Sequence, residues 1–309
     1  MTASLEVPPV AVAPSELRGG GLLHMVQAAL WFAVMGLFVK LASRTLPTMQ
    51  IVFVRGAITL GIASLVLWRL GLSPFGGNSR LLLWRGLVGS CALVCFYAAV
   101  VHLPLAEATV IHQTAPLFTA MFAGWFLRER VTGRVMVSLV GAFVGVVLIA
   151  RPSWLFGGGA PADPSAWVFA FIALLGAVLS AIAYVTVRQL GRTESPLVVV
   201  FFLPLVTLPL SAPFAVSVWV WPDAVGWLWL LGIGLSTQIA QVSLTKGLAR
   251  EAAGRATAVG YLQVAFATLF GAVVFGVWPD GWSWAGMGLI VGCLLLAASQ
   301  RARPASPTE

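Results

Sequence analysis

Ten apolar segments of membrane length run through this chain, in two series of five that match in order and spacing. They cover residues 20–43, 48–69, 82–102, 106–127 and 132–150, then 166–190, 196–217, 224–245, 253–276 and 282–299. A bilayer core of about 30 Å takes roughly 20 helical residues to cross. The two series also share residues. Ala108, Thr109, Phe118 and Phe122 recur 148 positions later as Ala256, Thr257, Phe266 and Phe270. Pro47 and Phe53 recur as Pro196 and Phe202 at an offset of 149. Five crossings are an odd number, so the second series enters the membrane upside down relative to the first. Inverted repeats of this kind are a construction typical of secondary transporters.

Composition excludes a soluble fold. Apolar residues make up 60% of the chain and charged residues 9%, with a mean hydropathy of +0.97. A water-soluble domain could not cover its surface from such a stock. The segments are rich in Gly, Pro, Val and Leu and lack a period of two, which selects helices over a barrel. The sequence therefore predicts an all-α integral membrane protein of ten transmembrane helices, arranged as two inverted five-helix repeats. Residues 1–19 read as a cytoplasmic tail, 20–152 as the first repeat, 153–165 as a linker, 166–300 as the second repeat and 301–309 as a second cytoplasmic tail. No small-residue cleavage site follows the polar start, so the first segment reads as a retained span. The Gly157–Pro161 stretch reads as a flexible joint.

Charge sets the orientation. With the amino terminus inside, Arg18, Arg69, Arg80, Arg85, Arg128, Arg130, Arg134, Arg188, Arg192, Lys246, Arg250, Arg255, Arg301 and Arg303 fall on the cytoplasmic side, 14 of the 18 basic residues. Lys40, Arg44 and Arg151 fall outside, and Arg55 lies within a span. This bias places both termini in the cytoplasm, as in a bacterial inner-membrane protein. It also accounts for the net charge of +8 without any nucleic-acid partner. Cys91, Cys95 and Cys293 sit in spans with no CxxC pair, so they read as packing residues. No metal site or cofactor is implied.

The spans carry few groups with chemistry. All ten acidic residues lie in tails, loops or helix ends, which leaves no carboxylate near the midplane for ion coupling. Arg55, two turns into the second span, reads either as a contact for a carboxylate or phosphate, or as a side chain that snorkels or pairs with Glu107. His112 reads either as a hydrogen-bonded packing residue or as a proton carrier. Pro116 removes a backbone hydrogen bond in the middle of the fourth span and predicts a kink there. Thr109, His112, Pro116 and Thr119 share one helical face. Ser180, Tyr184 and Arg188 form a stripe on the sixth span. Thr237, Gln241 and Thr245 do so on the eighth, flanked by Gln238, and Thr257, Tyr261 and Thr268 on the ninth. Tyr97, Tyr184 and Tyr261 are all in spans, where tyrosine is unusual. Such stripes line a pocket for a small metabolite or bond helix to helix. Arg55, Tyr97, His112, Tyr184, Gln238, Gln241 and Tyr261 are the candidate cavity residues. Gly141 and Gly145, and again Gly288 and Gly292, are GxxxG pairs that predict close helix packing, between the repeats or in a homodimer.

The run LPLAEATVIHQTAPLFTAMFAGWFLRERVTGRVMVSLVGAFVGVVLIARP (Leu103–Pro152) resembles EamA-domain proteins of the drug/metabolite transporter superfamily. Pro116, Leu127, Glu129, Gly141 and Gly145 carry the likeness. Arg188–Phe202 and Gly260–Gly271 extend it to the second half. The resemblance implies ten helices, a central cavity, alternating access and, often, export of amino acids or related metabolites. The second copy departs from the pattern, with Val277 where Glu129 has its counterpart and Val264 in place of the proline, so its ninth span is expected to lack the kink. A secondary transporter of a small organic metabolite is the leading expectation. A non-transporting scaffold and an intramembrane lipid-modifying enzyme are the rivals, the latter disfavoured by three scattered histidines and no paired carboxylates in spans.

Overall fold

Residues 20–156 and 165–299 are described by the computed structural model of the chain. The two tails, the Gly157–Pro161 joint, and Arg18, Arg301 and Arg303 lie outside these residues. Among the described residues there is no strand. The helices are α1 (Gly21–Ala42), α2 (Thr48–Arg69), α3 (Ser79–His102), α4 (Leu105–His112), α5 (Ala115–Phe126), α6 (Gly133–Ala150), α7 (Ser153–Phe156), α8 (Ser165–Leu190), α9 (Pro196–Ser217), α10 (Ala224–Arg250), α11 (Ala253–Gly260), α12 (Leu262–Phe275) and α13 (Gly281–Ala298). Nine described segments are long and apolar enough to cross a membrane, with α11 and α12 taken together. The remaining span, fourth in order, is α4 and α5, broken at Gln113–Thr114. Polar residues start several helices by accepting an otherwise unpaired backbone N–H: Asn78 from Leu81, Asp223 from Gly226 and Asp280 from Ser283. The Ser283 hydroxyl and N–H, with Arg151 beside them, hold the Asp280 carboxyl below the usual carboxylate range.

The packing repeats itself when every span is advanced by five. α1 lies against α10, and α8 lies against α3. α2 meets α10, and α9 meets α3. α1 meets α11 and α12, as α8 meets α4 and α5. Three contacts map onto themselves: α2 with α9, α6 with α13, and α5 with α11. The match reaches single residues. A Cβ on Gly86 would stand 2.6 Å from the Phe202 carbonyl oxygen and 3.0 Å from Val206. One on Gly234 would stand 2.7 Å from the Cβ of Ile58. Gly86 and Gly234, and Ile58 and Val206, are both pairs 148 positions apart. Both crossings need glycine because the helix axes come too close for any side chain.

Of the two GxxxG pairs, one lies at a close helix contact and the other does not. Gly141 packs on Cys293, and a Cβ on Gly145 would meet the Gly286 carbonyl oxygen at 2.7 Å. Gly288 and Gly292 face open space with nothing within 4 Å. The partner of Gly145 is therefore Gly286. Helical rotation puts Gly288 some 200° away from it, on the outer face.

One end of the bundle is continuous and the other is split. Call the end where α1 begins the near end. There a single core joins Met25, Leu67, Leu82, Leu139, Leu190, Phe202, Leu248, Val259 and Ile290 across every span. The far end holds two separate clusters. One unites Ala42, Leu46, Ile51, Val54, Leu230 and Ile233, and the other Ala99, Leu103, Ala108 and Ala173. Exposed tryptophans ring both ends, with Trp68, Trp84 and Trp125 at the near end and Trp167, Trp221, Trp278, Trp282 and Trp284 at the far end. Indole rings favour the two membrane interfaces, so these rings mark the bilayer boundaries.

Candidate functional site

The broken fourth span shapes the centre of the molecule. Pro116 has no N–H to give, and Leu117 turns its own N–H to Thr114 O at 3.0 Å rather than to the residue four back. The Gln113 carbonyl is thereby left free. Tyr261 donates its hydroxyl to that oxygen at 2.9 Å. Gln113 and Tyr261 are again 148 positions apart, so this bond joins equivalent points of the two repeats. The ninth span is interrupted at the same place, between α11 and α12, where Val264 N–H turns to Tyr261 O at 3.0 Å. The expectation that the second copy lacks the kink is therefore corrected. A tightened turn after Gly260 produces a milder break without proline.

Around this joint lies a cavity of about 380 Å³. Six of the seven candidate side chains line it: Arg55, Tyr97, His112, Tyr184, Gln238 and Gln241. Tyr261 does not. It is wholly buried, its ring in the core and its hydroxyl spent on Gln113, so its place is structural. Pro116 lines a smaller pocket on the near side, which shares Phe32, His112, Gln113, Tyr184 and Gln263 with the main cavity. Ser180 Oγ lies 3.3 Å from His112 Nε2, and Phe96 packs on the same ring. Thr245 and Thr119 return their hydroxyls to their own helices, at Gln241 O and Ala115 O. Arg55 is half-buried and forms no ion pair with Glu107, whose carboxylate takes the Ser153 hydroxyl instead.

The polar lining residues Gln113, Gln263, Thr59 and Thr207 were passed over by sequence reasoning, and the charged one it missed is Arg85. Read as one more cytoplasmic-side charge, it in fact sits six residues, about 9 Å, into α3 and is 3% exposed. Its Nη2 reaches Gln241 Oε1 at 3.4 Å, while Nε and Nη1 have no partner. Gln238 Oε1 is likewise buried and unpaired. The lining contains no Asp or Glu. The missed signal was position: Arg85 adjoins Gly86, and a glycine at a helix crossing marks an inward face.

The near end is shut by a polar clamp as well as by its core. Arg188 donates to Glu129 Oε1 at 2.8 Å and to the Leu248 and Ala249 carbonyls at 3.0 and 2.6 Å. Glu129 Oε2 accepts the Ala253 N–H at 2.8 Å. The pair thus caps the end of α10 and the start of α11 together. Arg255 caps α13 at Ala297 O and Ala298 O. The far-end core, by contrast, is divided into two clusters.

Tyr261→Phe is expected to leave the Gln113 carbonyl unpaired at a cost of about 1–3 kcal/mol. Thermal unfolding of the purified protein should show a melting point several degrees lower, and an unchanged one would remove the joint's importance.

The EamA-like transporter family matches this sequence twice, at residues 19–151 and 167–299. The pseudopaline exporter CntI of Pseudomonas aeruginosa is 32% identical over 288 residues, which are 93% of this chain and 99% of that one. Solute carrier family 35 member G1 of Mus musculus is 30% identical over 284 residues, 89% of this chain and 77% of that one. A solved crystal structure superposes with a TM-score of 0.76 at 22% identity, covering 90% of this chain and 96% of that one, which shows a shared fold.

Proposed function

Because this chain belongs to the EamA-like transporter family, we propose that it exports a small organic metabolite across the bacterial inner membrane by alternating access and has no catalytic activity. The observation that carries this reading is the central cavity between the repeats, closed at one end by a common core and a clamp and divided at the other. A volume of about 380 Å³ suits a metabolite, and polar groups at its wall suit an oriented one. The positive-inside bias puts the near end in the cytoplasm, so the form described here faces outward. The inward-facing form would open the Glu129–Arg188 clamp and bring the two far-end clusters together, a rocking that the internal symmetry supports. Arg55, Arg85, Tyr97, His112, Tyr184, Gln238 and Gln241 would hold the solute.

Export is also what the Pseudomonas relative is named for, and it agrees with the family resemblance. Purified protein in proteoliposomes should catalyse counterflow of labelled metabolites from a broad panel. Folded protein that moves none of them would favour the scaffold reading.

A further inference from the structure

Arg85 is a cation kept in the wrong place for anything but a ligand. A guanidinium keeps its charge in proteins, and burying one unpaired costs several kcal/mol. Folded chains normally compensate such a charge with a carboxylate, yet Arg85 has only a long contact to a neutral amide, and two of its three nitrogens have no partner. Arg55, the other arginine of the lining, has no ion pair among the described residues either. Two positive charges therefore face a cavity whose lining holds no acid.

We infer that the transported solute is an organic acid with at least two carboxylates, one taken by Arg85 deep in the cavity and another by Arg55 nearer the far end. This deepens, and rests on, the transport reading. The planar fork of Arg85 suits a carboxylate, which takes two N–H bonds side by side. Nη2 has a second hydrogen beyond the one that reaches Gln241, and that hydrogen completes a two-bond edge with one of the vacant neighbours, Nε or Nη1. Gln238 Oε1 is the acceptor available to an amino or hydroxyl donor on the same solute. A monoacid leaves one guanidinium uncompensated, and a neutral amide leaves both.

Two measurements test this. The first is binding, which needs no transport: thermal shifts of the purified protein with succinate, glutarate, glutamate and citrate, against butyrate, glutamine and glutaramide. At least one diacid or triacid should stabilise the protein while the monoacid and the amides do not. The effect should fall at least about thirtyfold in apparent affinity in Arg85→Gln and be partly restored in Arg85→Lys. The ligand-free Arg85→Gln protein should melt at or above the parent's temperature, because the variant loses an unpaired buried charge. A structural arginine would give the opposite result. The second measurement is counterflow of the stabilising acid in proteoliposomes. Equal stabilisation by the amides, no stabilisation by any acid, or a lower melting point for ligand-free Arg85→Gln would overturn the inference. Binding of an acid without flux would leave the anion site standing and count against the transport reading alone.

Discussion

Arg188→Ala should lower the stability of the protein by about 3 kcal/mol, at the low end of the range for breaking a buried ion pair because both side chains keep some contact with solvent. The loss has three parts. Glu129 is left as a largely buried carboxylate whose opposite charge has gone. The Leu248 and Ala249 carbonyls at the end of α10 lose their cap. The Ala253 N–H keeps Glu129, but the carboxylate is no longer held in place by the arginine. Glu129→Gln keeps one oxygen for either Arg188 or Ala253 and turns its amide NH2 toward the other donor, so it should cost about 2 kcal/mol, less than removal of the arginine. The double variant should be less damaging than the sum of the single ones, since the two side chains share one network. Thermal melts of the four proteins in the same detergent decide the matter. Additive losses would show that the clamp is two independent caps.

The same clamp has a conformational consequence. It fastens the fourth, sixth, eighth and ninth spans at one end, and the second repeat has only Val277 where Glu129 would be repeated. The far end has instead the bond pair between the Gln50 amide and the Val220 peptide, at 2.6 and 3.0 Å, the cation–π contact of Lys40 with Phe275 and a solvent-exposed ion pair of Arg151 with Asp280. The two ends of the duplicated frame are thus fastened by different chemistry. A weaker clamp shifts the balance toward the form opened at the Glu129 end, because that form loses nothing by the substitution.

Hydropathy made the spans, their number and their inverted duplication legible, because each is a property of twenty residues at once. The Gly86/Gly234 crossings and the Gln113–Tyr261 joint keep the same 148-residue offset, but only the packing singles them out. Individual orientations were less legible. Gly288 and Gly292 match a packing motif and face away, since a motif fixes spacing along a helix but not the rotation of that helix against its neighbours. Tyr261 matched the polar stripe of its span, yet its hydroxyl serves a carbonyl freed by proline in a different span. Arg85 was hidden among charges read as markers of topology. Nothing local separates an arginine at a helix end that points to lipid headgroups from one that turns inward.

Gly145→Leu should be the most damaging single substitution, costing more than about 3 kcal/mol and sharply reducing the yield of monodisperse protein. Its Cβ would stand 2.7 Å from the Gly286 carbonyl oxygen and 2.8 Å from Ile290, and the reciprocal Cβ on Gly286 would stand 2.6 Å from the Gly145 carbonyl oxygen. Backbone meets backbone there, so no rotamer change relieves the clash, and α6 must separate from α13. Without a hydrophobic drive between helices in lipid, close packing is most of what holds such a pair, and separating it forfeits the whole contact. Gly288→Leu is the control. It makes the same chemical change on the same helix pair, into open space, and should leave the melting point within the range of helix-propensity effects, about 1 kcal/mol. Equal behaviour of the two variants would mean that α6 and α13 do not cross at Gly145. A selective loss in the first would place the fixed contact of the two repeats at this crossing, on the side of the bundle away from the cavity.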